Sequence, residues 1–190
     1  PDLPLELAPA IADMGTAFHG IRRAGSVVGR RVAVVGGGEI GLAAAAILTV
    51  SGAASVTVFD PAEEARERVT RFLPEAHTLP AWPGGDDRYD MAFDASSVPV
   101  GVETAIKCLA PGGTAVIYNA MATGGAELGF ENFFHQWIKP EVTILATIAK
   151  TREDLIACAD LLATQPLLQA LYTLETVLLE AAGAALAEAI

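Results

Sequence analysis

The segment RVAVVGGGEIG, Arg31 to Gly41, leaves a chain few choices. A short valine-rich run reads as a buried strand, and three glycines follow it directly. The apolar run IGLAAAAILTVSG then reads as a helix from 40 to 52, with Gly52 suited to a left-handed cap. A second apolar run, SVTVFD, ends in an acid at Asp60. A glycine turn between a buried strand and a buried helix, with a second strand closely behind, is one unit of a parallel sheet covered by helices.

The glycines fit G-x-G-x-x-G through Gly36, Gly38 and Gly41, and Asp60 stands about 20 residues on. Gly36 allows the sharp turn out of the strand. Gly38 lacks the Cβ that would hold a pyrophosphate away, and Gly41 lets the helix pack closely on the sheet. The amides of Glu39 and Ile40 then face phosphates at the positive end of a helix. Asp60, with Pro61 beside it, can accept both hydroxyl protons of an adenosine ribose. A 2′-phosphate there would meet a carboxylate without a compensating base, so the pattern favours NAD over NADP. Methyltransferases that bind S-adenosylmethionine also combine a glycine turn with an acid after the second strand. Their usual acid just before the glycines is missing here, where Val34 and Val35 stand.

The alternation continues. Strands are predicted at 31–36, 55–60, 89–96, 114–121 and 141–149. Helices are predicted at 40–52, 61–73, 100–110 and 152–163, the helix at 100–110 being closed by Pro111, Gly112 and Gly113. In the helix at 61–73, Glu64/Arg68 and Glu67/Arg71 are spaced for i, i+4 pairing. The fold class is α/β, a Rossmann-type doubly wound parallel sheet in three layers with flanking helices. Residues 1–29 form a lead-in helix packed on the dinucleotide-binding unit at 30–173, and 174–190 form a C-terminal helix.

Composition excludes some partners. A formal charge of -11 opposes nucleic acid and anionic membrane surfaces. The uncharged run from Ile40 to Phe59 has transmembrane length, but its helix-like and strand-like halves fit a buried helix followed by a buried strand. Cys108 and Cys158 lie in apolar runs without metal-type spacing, which reads as two buried reduced thiols and a cytoplasmic location. The chain begins at Pro1 without a leader pattern and reads as a piece of a longer protein.

Five segments carry a family resemblance: LAPAIADMGTAFHGIRRAG, GRRVAVVGGGEIGLAAAAIL, VTVFDPAEEARERV, MAFDASSVPVGVETAIKCLAPGGTAVIYNAM and VTILATIAKTREDLIACADLLAT. In this order they resemble the cofactor domain of medium-chain dehydrogenases/reductases, the zinc alcohol dehydrogenase superfamily. The resemblance implies an NAD-dependent oxidoreductase that transfers hydride to or from a small alcohol or carbonyl substrate. It also implies a GroES-like catalytic domain, which the sequence lacks, so the chain alone is expected to be inactive. The alternative is a dinucleotide-binding chain that catalyses nothing: an excised fragment, a sensor or a structural partner.

Further positions follow from the resemblance alone. Ala95 and Ser96 fall near the nicotinamide ribose, and backbone groups from Thr147 to Ala149 face the carboxamide. Asn119, with Ala120 after it, occupies a usual glycine position; it either narrows the pocket or serves as a turn residue. Arg66 either reaches the adenosine ribose or pairs with an acid on its own helix. Phe130, Phe133, Phe134 and Trp137 lie where substrate-pocket or dimer residues occur, or else cover the sheet. His77 and His135 read as exposed. The family's zinc ligand in the lead-in segment is replaced by Ala12, with Asp13 adjacent, so no metal is expected; Asp13 and His19 are the remaining candidates. No catalytic residue is identified. The strand at 141–149 is expected to form a sheet edge that joins two copies into a homodimer.

Overall fold

A computed structural model describes residues 3–118 and 138–172. Among them, six parallel strands form one sheet: β1 (Arg31–Val35), β2 (Ser55–Phe59), β3 (His77–Leu79), β4 (Tyr89–Asp94), β5 (Leu109–Ile117) and β6 (Thr143–Ala146), in the order β3-β2-β1-β4-β5-β6. The chain builds outward from β1 to β3, then crosses back to place β4 on the other side of β1. The loops after β1 and β4 therefore diverge, and a crevice opens at the carboxyl ends of these two strands.

Helices α1 (Ala10–Ala24), α2 (Glu39–Val50), α3 (Glu63–Phe72), α4 (Pro99–Lys107), α5 (Arg152–Thr164) and α6 (Pro166–Ala170) cover both faces. Side chains alternate across a strand, so β1, β2, β4 and β5 each supply both cores. Val32, Val34, Val58 and Phe93 meet Met14, Ile47, Leu48 and Leu162 on one face. Ala33, Val35, Phe59 and Ala92 meet Val102, Ala105 and Ile106 of α4 on the other. Full burial of each large side chain, as at Ile47 and Leu48, contributes roughly 1.5–3 kcal/mol. The uncharged run 40–59 is α2 and β2; no helix among the described residues is long and apolar enough to cross a membrane.

Several boundaries differ from the sequence reading. The helix at 100–110 ends at Lys107, because Leu109 already pairs with Tyr89. The chain then bulges through Pro111–Gly113 before Thr114 pairs with Met91. Helix α3 starts after Pro61, at Glu63. Strand β3 was not anticipated: its three residues are largely exposed and carry no apolar run. Strand β6 does lie at the edge of the sheet, but it has four residues rather than nine. His77 is exposed, as expected. Asn119, Ala120, His135, the aromatic group from Phe130 to Trp137, and 174–190 lie outside the described residues.

Candidate functional site

Of the three glycines at 36, 38 and 41, the fold requires two and not the third. Gly36 has φ +97°, and a Cβ there would stand 2.9 Å from the backbone of Ala95 and from Ser96 Cα. Only glycine fits both the backbone angle and the space. A Cβ on Gly41 would stand 2.9 Å from the Gly36 carbonyl carbon and closer still to its oxygen, so α2 approaches β1 as near as it does only without a side chain. Gly38 is different. It caps α2 with φ -66° and ψ -170°, extended angles open to any residue, and an added Cβ would meet no atom within 4 Å.

Asp60 fixes this loop. Its Oδ2 accepts from Gly37 N–H at 2.7 Å and its Oδ1 from Ala62 N–H at 2.8 Å. Arg68 Nη2 donates to the Gly37 carbonyl at 2.9 Å, so Gly37 is held from both ends of its backbone. The spacing that paired Arg68 with Glu64 misses this contact: α3 packs close enough to the loop for the guanidinium to reach it. Arg66 Nη1 donates to the carbonyls of Asp60 and Pro61, at 2.7 and 2.8 Å, rather than to an acid on its own helix.

A cavity of about 530 Å³ lies in the crevice, lined by Gly36, Gly38, Asp60, Pro61, Ala95 and Ser96 among others. Six expected site residues thus share one space. Val98 and Val100, both exposed, give it an apolar wall that the sequence reading did not single out. Ala95 and Ser96 face the same cavity as Asp60. Thr147 lies in a second cavity of about 320 Å³ with His19, Arg23 and Ile117. Its N–H donates to the Ile117 carbonyl at 2.9 Å, and its hydroxyl is buried without a partner. The Glu39 side chain lines a third cavity beside Arg68 and Tyr172, and Ile40 packs partly buried against the core.

Asp94, at the end of β4, is fully buried beneath the crevice. Burial raises its pKa above the ordinary 3.8, opposed by hydrogen bonds from Ser96. The sequence reading did not separate it from the apolar run MAFDAS.

His19 is occupied. Its Nδ1 donates to Asp154 Oδ2 at 2.7 Å, and Arg22 lies 3.0 Å from Oδ1. Asp154 is also the N3 residue of a capping box, accepting from Thr151 N–H and Oγ1 at 2.8 and 2.7 Å. Burial raises the Asp154 pKa, but these donors and the Arg22 charge outweigh it and hold the carboxyl below its usual range. Zinc does not fit the described donors. No three of His, Cys, Asp or Glu group together among the described residues. Burial pushes the Cys108 and Cys158 thiols up to about 12 and about 11, so neither is a ready thiolate.

The profile of the zinc-binding dehydrogenase family matches residues 40–164, about two thirds of the chain. The chain belongs to this family, and its α/β fold is that of the medium-chain dehydrogenases. It is 32% identical over 126 residues to a probable diacetyl reductase [(R)-acetoin forming] of Saccharomyces cerevisiae, covering 60% of this chain and 30% of that protein. It is 31% identical over 168 residues to L-galactonate-5-dehydrogenase of Escherichia coli, covering 83% of this chain and 47% of that one. The alcohol dehydrogenase of Thermotoga maritima superposes with a TM-score of 0.76 at 17% identity, over 87% of this chain and 49% of that structure. The chain thus spans about half or less of the length of the relatives it matches.

Proposed function

We propose that the chain is the NAD(H)-binding half of an alcohol dehydrogenase-like oxidoreductase that transfers hydride to or from a small alcohol or carbonyl substrate in the intact protein. Gly38 carries the reading. A glycine that neither backbone angle nor packing requires, at the amino end of a buried helix, is accounted for by a ligand that must approach the backbone there. The N–H groups of Glu39 and Ile40 have no intrahelical acceptor in the first turn of α2 and would hold the pyrophosphate. Asp60 and Pro61 would hold the adenosine ribose, and Ala95 and Ser96, which line the same crevice, would lie near the nicotinamide ribose. Asn119, Ala120 and Thr147 would face the nicotinamide.

Asp60 uses one lone pair of Oδ2 on the glycine loop and one of Oδ1 on Ala62 N–H, and keeps others for ribose hydroxyls. A 2′-phosphate would meet this carboxylate, while Arg66 and Arg68 are turned to backbone carbonyls. NAD is therefore preferred over NADP. When bound, nicotinamide supplies C4 as hydride donor or acceptor, and this chain binds and orients it. Asp60 is the only ionisable side chain lining the crevice among the described residues. The chain alone therefore binds without catalysing, and no step is assigned to zinc. Two buried free thiols support a cytoplasmic location, and pairing of two copies at the β6 edge is part of the same reading. Fluorescence titration with NADH and NADPH tests the reading: saturable NADH binding, weaker for NADPH, is expected, and no binding of either would overturn it.

A further inference from the structure

Asp94 is a buried acid that the cofactor reading does not use. It sits between β1 and β5, paired in register with Val35 and Ile117, and has no exposed surface. Its Oδ2 has no hydrogen-bond partner. Its Oδ1 accepts from Ser96 Oγ at 2.6 Å and from Ser96 N–H at 3.1 Å. Ser96 Oγ in turn accepts from Val98 N–H at 3.3 Å. Between them Ser97 takes φ +60°, a left-handed angle unfavourable for a residue with a side chain. The first turn of α4 presses on the same group: a Cβ on Gly101 would stand 2.7 Å from Asp94 Oδ1 and closer still to Ser96 Oγ.

A carboxylate buried with one oxygen unpaired is a poor device for stability, because its desolvation is not recovered. What it does achieve is placement. Ser96, Val98, Val100 and Gly101 all line the same crevice as Asp60, and all lie in the turn that Asp94 organises or in the first turn of α4 that packs on it. We propose that Asp94 is a positioning residue for the dinucleotide: through Ser96 it sets the turn after β4 and the start of α4 as a wall of the crevice that receives it. It touches no ligand. This rests on the dinucleotide reading and adds to it the group that shapes the wall.

The test is a double-mutant cycle on the 190-residue chain, with Asp94→Ala, Ser96→Ala and the pair, read by titration with NADH and with ADP-ribose and by thermal melting. Each single change is expected to weaken both ligands about tenfold, the effect of losing a hydrogen bond to a charged group. The pair should be no weaker than the worse single, because the two residues act as one unit. Asp94→Asn keeps an oxygen acceptor for Ser96 and should restore most of the affinity. Unchanged affinity in Asp94→Ala with a lowered melting temperature would mean a structural role only and overturn the proposal, as would additive losses in the pair. If Asp94→Ala does not fold, Ser96→Ala decides alone: its side chain is partly exposed, and undiminished affinity there refutes the positioning role. Failure of the unmodified chain to bind either ligand would instead reject the cofactor reading itself.

Discussion

Two glycines three residues apart are expected to respond in opposite ways. Gly38→Val places a side chain where the structure has no neighbouring atom, at φ -66° and ψ -170°, angles that valine adopts freely. Valine is a poorer helix cap than glycine by about 0.5–1 kcal/mol, while restricting the unfolded chain returns about 0.4–1 kcal/mol. The net change in stability is near zero. Binding should suffer, because the two methyl groups fill the approach to the N–H groups of Glu39 and Ile40. Losing two hydrogen bonds to a charged phosphate, each worth about 1.5–3 kcal/mol, weakens NADH by roughly a hundredfold or more. Gly41→Ala forces a methyl group against the Gly36 carbonyl, a backbone atom that cannot swing away. Overpacking of about 1–3 kcal/mol exceeds the gain in helix propensity of up to about 1 kcal/mol. For a chain of this size, each net kcal/mol lost lowers the melting temperature by about 2–4 °C. Thermal melts followed by circular dichroism, with NADH titration on the same samples, separate the two. Retained NADH affinity in Gly38→Val would falsify the placement of the pyrophosphate. A melting-temperature loss in Gly38→Val as large as that of Gly41→Ala would show that the fold requires this glycine after all.

NADH should bind more tightly than NADPH, and Asp60→Ala should abolish much of that preference while also weakening NADH, since Gly37 loses its carboxylate partner; equal affinities in the unmodified chain would remove Asp60 from the selecting role. Protein prepared without chelator should carry no stoichiometric zinc and oxidise no simple alcohol, and one firmly held zinc per chain in metal analysis would return Asp13 and His19 to consideration. Light scattering at tens of micromolar should report a homodimer, weakened by Ala146→Pro, which removes an N–H from the open side of β6; a monomer would defeat edge pairing. Asp154→Asn should cost about 1–3 kcal/mol at neutral pH. Because the folded carboxyl titrates below the ordinary 3.8, its stabilisation is present above that value and is lost as pH falls through the lowered one. A pH–stability curve unchanged by the substitution in the acid range would contradict this.

The parallel sheet was legible because both its faces are buried, so the strands read as unbroken valine- and alanine-rich runs. Strand β3 was not, because it is short and exposed and is placed by pairing Thr57 with His77 rather than by any pattern of its own. The roles of Gly36 and Gly41 could be read from spacing, since a tight turn and a close helix approach are local demands. The contacts of Arg68 with Gly37 and of Asp154 with His19 join segments far apart in the chain and leave no periodic trace. Which amides face the open edge at β6 also needed the structure. Its N–H points inward to Ile117, so in a parallel ladder the groups facing outward belong to Ile144 and Ala146. Arg23 on α1 donates to the Ala146 carbonyl, so part of the edge expected to be bare is already covered.

Asp60 shows why a sequence motif and its geometry are different kinds of information. The motif assigns the acid to a ligand. In the folded chain the same carboxylate first ties β2 to the glycine loop, and Arg68 completes the tie from the other end of Gly37. The loop is therefore shaped before any ligand arrives, and binding does not have to order it. Preorganisation of this kind adds affinity without adding a contact, because the entropy of fixing the loop is met during folding. It also means that the acid cannot be replaced on the ligand's account alone: a substitution chosen to admit a 2′-phosphate must also supply an acceptor for Gly37 N–H. Asp60→Asn keeps one oxygen and should hold the loop better than Asp60→Ala. The difference in NADH affinity between these two variants therefore measures how much of the site is built by the acid and how much is recognised by it.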